Sequence, residues 1–163
     1  MHTAPVAVID EEHAAFMQGG VSISVASCDR DKMPCLVRAL GCRLSPDRRQ
    51  LRILVATSQA SRVLACIRET GAVAAVFSHP ATLRTVQVKG MDATESATSP
   101  ADVEAARRYC EAFIRETVPL GFDEAMMQAL LSSSELTAIA FTPSAAFLQT
   151  PGPKAGEPLK APA

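Results

Sequence analysis

Between Val21 and Gly90 the chain changes side at nearly every residue, in short runs cut by turn clusters. Val21, Ile23 and Val25 alternate with Ser22 and Ser24. Leu51, Ile53 and Val55 share one face of the run 51–56, and Arg84, Val86 and Val88 oppose Leu83, Thr85, Gln87 and Lys89 over 82–90. A period of two is that of a half-buried strand. The runs at 21–28, 35–44 and 51–56 are joined by turn clusters at 29–34 (DRDKMP) and 45–47 (SPD). Links this short favour antiparallel pairing. With further runs at 72–77, 82–90 and 135–142, six strands are expected. A small antiparallel sheet of that kind tends to curl toward a barrel to protect its edges.

Helical spacing interrupts the pattern in four places. Residues 9–17 read as a helix capped by Asp10 and stopped by Gly19-Gly20. Residues 59–69 carry Ala60, Val63, Leu64 and Ile67 on one face, with Ser58 as the expected cap and Gly71 as the stop. The longest helix is expected over 98–118, capped by Ser99 with Pro100 in its first turn and an apolar stripe of Val103, Ala106, Cys110, Phe113 and Ile114. A shorter helix follows at 122–131. Strand–helix alternation does not run through the chain, which argues against a doubly wound fold. One domain over residues 1–150 is expected, followed by a Pro/Gly-rich tail, 151–163, that is extended or disordered and could cover a groove.

The charge balance narrows the partners. Sixteen Lys and Arg against 17 Asp and Glu give a net charge of −1, with one Tyr and no Trp. That balance provides neither the basic groove nor the stacking platform of a nucleic-acid binder. No apolar run is long enough to span a membrane, and no basic amphipathic helix or signal peptide is evident, so a cytoplasmic location is the default. Five cysteines without CxxC spacing, and three scattered histidines, give no metal-ligand pattern or disulfide framework.

Chemistry concentrates in two places. At residues 55–62 a strand ends, three hydroxyls (Thr57, Ser58, Ser61) and Arg62 follow, and a helix begins. Free amides at a helix start, the helix dipole and a guanidinium together suit a phosphate. The second place is the strand from Arg84 to Gly90, whose polar positions could line a ligand site.

In this order the two segments resemble the pyridoxamine 5'-phosphate oxidase-like, FMN-binding split-barrel family. That family runs a strand into a T-x-x-x-S-R/K helix start, then an R-x-V-x-V-x-G strand, then a long helix outside the barrel. Thr57, Ser61 and Arg62 match the first motif, and Arg84, Val86, Val88 and Gly90 the second. The resemblance covers residues 9–150. It implies a mainly β fold with peripheral α-helices, a six-stranded antiparallel Greek-key split β-barrel, and a homodimer holding FMN between two barrels. It further implies that Thr57, Ser58, Ser61, Arg62 and Arg84 converge on the phosphate, that Arg38 reaches the phosphate or ring, and that one of Thr85 and Gln87 contacts the ring or ribityl chain. The chain departs from the oxidases at Val63, at Leu40 or Gly41, and at Thr85, where they carry two basic residues and a glutamine, and it has no Arg or His after Phe141. The implied function is therefore a general FMN oxidoreductase acting on a small molecule. A haem- or deazaflavin-using relative, or a non-catalytic flavin- or haem-binding dimer, is the alternative. No catalytic residue and no metal site is expected.

Overall fold

A computed structural model describes residues 7–159 of the chain. Helix α1 (Glu11–Met17) leads into β1 (Ser22–Cys28), β2 (Pro34–Leu44) and β3 (Leu51–Ala56). Helix α2 (Ser61–Thr70) precedes β4 (Val73–Ser78), β5 (Thr85–Gly90) and β6 (Thr94–Ala97). Helices α3 (Pro100–Thr117) and α4 (Glu124–Leu131) precede β7 (Leu136–Phe141) and β8 (Ala145–Leu148). Every strand pairing is antiparallel.

The strand order is β6-β7-β3-β2-β1-β4-β5-β8. After the β1-β2-β3 meander, the chain crosses through α2 and sets β4 beside β1, the Greek-key move. Eight strands are present where six were expected. The run Thr94–Ala97 is mostly exposed and has no alternating apolar residue, so nothing in it marked β6. Strand β8 is a run of only four residues, AAFL, just before the expected tail, too short to show a period of its own. The tail is also more ordered than expected: beyond a turn at 151–156, Leu159 N–H bonds to Ala146 and Leu148 N–H to Glu157. Residues 157–159 thus run back along β8 and cover an otherwise free edge. The last four residues of the expected tail, 160–163, lie outside the described residues.

Hydrogen bonding does not close the sheet, since β6 and β8 are its two ends. Its halves meet by packing instead. A carbon added at Gly90, the last residue of β5, would sit 2.4 Å from the Phe141 ring of β7. The interior is filled by alternate residues such as Ile23, Val25, Ile53, Phe77, Val86 and Val88, all buried. Helix α1 seals one end with Met17.

Helix α3 lies outside β2. The strand bends there at a register shift around Gly41, whose φ of +132 only glycine adopts freely. The absent side chain lets α3 approach, for a carbon at Gly41 would meet Tyr109 at 3.2 Å and Ala106 at 3.3 Å. The buried face of α3 is Asp102, Ala106, Tyr109, Phe113 and Thr117. Of the expected stripe, Ala106 and Phe113 are buried and Cys110 and Ile114 pack partly buried against the core, while Val103 is 53% exposed. Polarity misled here because Asp102 is buried through ion pairs with Arg43 and Arg52. No described helix is long and apolar enough to cross a membrane.

Candidate functional site: the start of α2 and the outer sheet face

Strand β3 runs into a single 3-10 turn, Thr57–Gln59, before α2 begins. The turn displaces the expected cap, so Ala60 rather than Ser58 precedes α2, and no side chain caps it. Leu64 N–H makes the first helical bond, to Ala60. The amides of Ser61, Arg62 and Val63 precede that bond and have no helical acceptor. Ser58, Ser61 and Arg62 are exposed. Among the described residues, neither hydroxyl nor the Arg62 guanidinium has a hydrogen-bond or ion-pair partner. Thr57 is fastened to β7: its Oγ1 lies 2.8 Å from that of Thr137, and its N–H bonds to the Glu135 carbonyl. A cleft of about 850 Å³ opens from Thr57 along Leu64 and Arg68 to β6. Arg68 is spent within it, holding both Glu95 oxygens at 2.7 and 2.8 Å.

The other expected residues divide into two groups. Arg38, Ser24, Val76, Gln87 and Phe147 are successive cross-strand partners, so they form one row on the outer face of the sheet. Arg38 is held there weakly, 3.5 Å from Ser22 Oγ and 5.6 Å from the centre of the Phe113 ring. Thr85 and Gln87, two residues apart on one strand, both face this side, which corrects the expectation that only one could. The Thr85 hydroxyl is already engaged by Ser78 Oγ at 2.8 Å.

Arg84 does not join Arg62 within one chain. It precedes Thr85, which pairs with Ser78, and Ser78 pairs with Ser22 at the start of β1. The α2 start lies instead at Cys35, opposite Ser27 near the end of β1. Five residues of strand, roughly 17 Å, separate the two. The β4–β5 turn, with Leu83 at φ 59, delivers Arg84 to α1. There its guanidinium meets Glu12 at 2.8 Å and stacks 4.5 Å from the centre of Phe16.

Sequence reasoning missed the network around Asp102. That carboxylate is fully buried and is reached by Arg43 at 2.8 Å and Arg52 at 2.7 Å, while the Ser99 amide closes a capping box. Burial raises its pKa, but the bonds from Arg52, the Ser99 amide and Arg43 outweigh burial and hold the carboxyl well below the usual range. The described histidines are engaged away from α2. His13 meets Asp10 at 2.8 Å, and His79 meets Glu116 at 3.2 Å. No group of three or more His, Cys, Asp or Glu among the described residues could hold a metal.

No protein-family model and no curated protein matches the sequence. Solved structures do match. HupZ of Group A Streptococcus superposes with a TM-score of 0.55 at 17% identity, over 91% of this chain and 99% of its own. A structure named F420 reductase gives 0.53 at 18%, over 85% and 98%. HutZ of Vibrio cholerae, named a heme storage protein, gives 0.50 at 11%, over 85% and 93%. Strand order, outer helix and these likenesses agree that the chain has the pyridoxamine 5'-phosphate oxidase-like split-barrel fold.

Proposed function

We propose that this protein binds a phosphate-bearing flavin, FMN or a deazaflavin nucleotide, as a homodimer and uses it in an oxidoreductase reaction on a small molecule. The observation that carries this reading is the uncapped, exposed start of α2. Amides without a helical acceptor, two hydroxyls and a guanidinium without partners lie there within residues 58–63, a donor set suited to a doubly charged phosphate. The likeness to a structure named F420 reductase supports the same reading. Ser58, Ser61, Arg62 and the amides of residues 61–63 would hold the phosphate. Arg38 and Gln87, on the outer sheet face, would orient the remainder, and a second copy over that face would exclude water. When bound, a flavin supplies hydride and electron transfer through its own ring. The chain's part is binding and orientation. Five free cysteines among the described residues fit a reducing cytoplasm.

The likeness to HutZ raises haem as a second ligand. The hydrogen-bonded placement of His13 and His79, remote from α2, favours flavin. Titrating FMN into the purified protein while following flavin fluorescence tests the choice. Saturable quenching is expected, with Arg62→Ala binding about 10- to 100-fold more weakly, a loss of about 1.5–3 kcal/mol for a charge-assisted contact. No quenching, or an unchanged affinity in Arg62→Ala, overturns the flavin reading. A haem Soret shift under the same conditions transfers the assignment to haem.

A further inference from the structure

Cys35 stands at the start of β2, half-buried, with its sulfur 3.9 Å from the Arg62 carbonyl and 3.5 Å from that of Ser27. In an α-helix the Arg62 carbonyl also accepts the amide of the residue four positions on, which is Cys66. Helical side chains lean back over the preceding turn, toward the residue whose carbonyl meets Cys35, and the Cys66 thiol lies within interaction reach of the Cys35 thiol. Cys66 is 4% exposed, so Cys35 is the accessible member. Cys28 is excluded from the pair: Ser27, not Cys28, is the cross-strand partner of Cys35, and Cys28 faces the other side of the sheet. Cys42 is buried against the Met17 carbonyl, and Cys110 lies against that of Leu131.

We propose that Cys35 and Cys66 are a redox-active dithiol, which hydrogen peroxide closes into a disulfide joining β2 to α2. The Cys35 thiolate attacks one peroxide oxygen and the O–O bond breaks. Cys35 becomes a sulfenic acid, and the departing hydroxide takes up a proton as water. The Cys66 sulfur, giving up its proton, then attacks the Cys35 sulfur. The S–S bond forms, the S–O bond breaks, and a second water leaves. Two thiols lose two electrons and one peroxide is reduced to two waters. The link would fix the first turns of α2, with Arg62, against the strand that bears Arg38. The pair does not depend on what α2 binds.

Burial and the neighbouring Cys66 thiol push the Cys35 thiol up to about 11. Little thiolate exists near neutrality, and the oxidation rate should rise about tenfold per pH unit toward that value. The test is hydrogen peroxide treatment of the whole chain at several pH values, then alkylation of free thiols and peptide mapping by mass. A Cys35–Cys66 cross-link with the stated pH dependence, and Cys28, Cys42 and Cys110 left alkylated, is expected. Accumulation of sulfinic acid at Cys35 with Cys66 free, or a cross-link to Cys28, overturns the proposal. Because Cys66→Ser disturbs a buried site, a second measurement uses the wild-type chain. A trivalent phenylarsenical, which bridges two adjacent thiols, should bind one-to-one and protect both residues from alkylation. Failure to protect both also overturns it.

Discussion

Asp102 and Tyr109 both lie in the buried face of α3, with opposite fortunes. The Asp102 carboxylate is satisfied on every side, by two guanidinium groups and its own helix cap. Asp102→Asn leaves both arginines short of their counter-charge and should cost about 3 kcal/mol, read as a lower urea midpoint. The pH dependence has a definite sign. The carboxyl is held below its unfolded value of about 3.9, so its contribution is complete above that pH and fades as pH falls through the lower folded value. Wild type should therefore lose stability below about pH 4 more steeply than Asp102→Asn. An identical acid slope in the two proteins would show that the pair is not formed. The Tyr109 hydroxyl, by contrast, is buried with no partner in good hydrogen-bond geometry, although the Arg38 guanidinium and the Ile23 backbone lie near it. Burial pushes its phenol well above the ordinary value. Tyr109→Phe removes an unpaid desolvation and keeps the stack on Phe113, whose centroid lies 5.7 Å away. Thermal melting should show stabilisation of about 1 kcal/mol. A clear loss would reveal a partner for that hydroxyl.

At the scale of elements, the split barrel depends on where its two halves touch without hydrogen bonds. Gly90 ends β5 against the Phe141 ring and the Thr142 carbonyl, which a new carbon would approach to 2.4 and 3.0 Å. The alanine of Gly90→Ala must push β5 away from β7, at a cost of about 1–3 kcal/mol typical of overpacking. Chemical denaturation measures it, and a neutral result would mean the seam is loose. The sequence carried this strand well, since Val86 and Val88 announce a core-facing period and Gly90 completes a motif. It carried β1 to β4, β7 and all four helices for the same reason: each has an apolar period of its own. It could not carry β6, whose residues are defined by pairing with β7 and not by burial. Nor could it show that Arg84 is turned to Glu12. That depends on the left-handed backbone at Leu83 and on α1, 72 residues earlier in the chain. Ser58, Ser61 and Arg62 stay near one another because they are close in sequence, Ser58 in the 3-10 turn and the other two in the first turn of α2.

For the molecule as a whole, the outer sheet face is the feature that a single chain leaves unfinished. Helix α3 packs on β2, and α2 on β1, β2 and β6, whereas β4 and β5 make their main contacts with other strands. The row Leu36–Ala26–Ala74–Lys89 runs across that face beside the row of Arg38 and Gln87. Its alanines make it flat, and Leu36 stands on it 68% exposed. A large exposed leucine on a flat, small-residue sheet is a surface suited to burial against a second copy. Leu36→Glu separates folding from association, because a side chain this exposed contributes little to the fold of one chain, while a buried carboxylate facing its symmetry mate is costly. Light scattering coupled to size exclusion should give twice the chain mass for wild type and the single-chain mass for Leu36→Glu. The circular dichroism of the two should be the same. FMN affinity should fall in the separated chain if the second copy covers the flavin, so the two readouts should move together. A Leu36→Glu variant that stays dimeric would place the interface elsewhere and remove Arg38 and Gln87 from the proposed site.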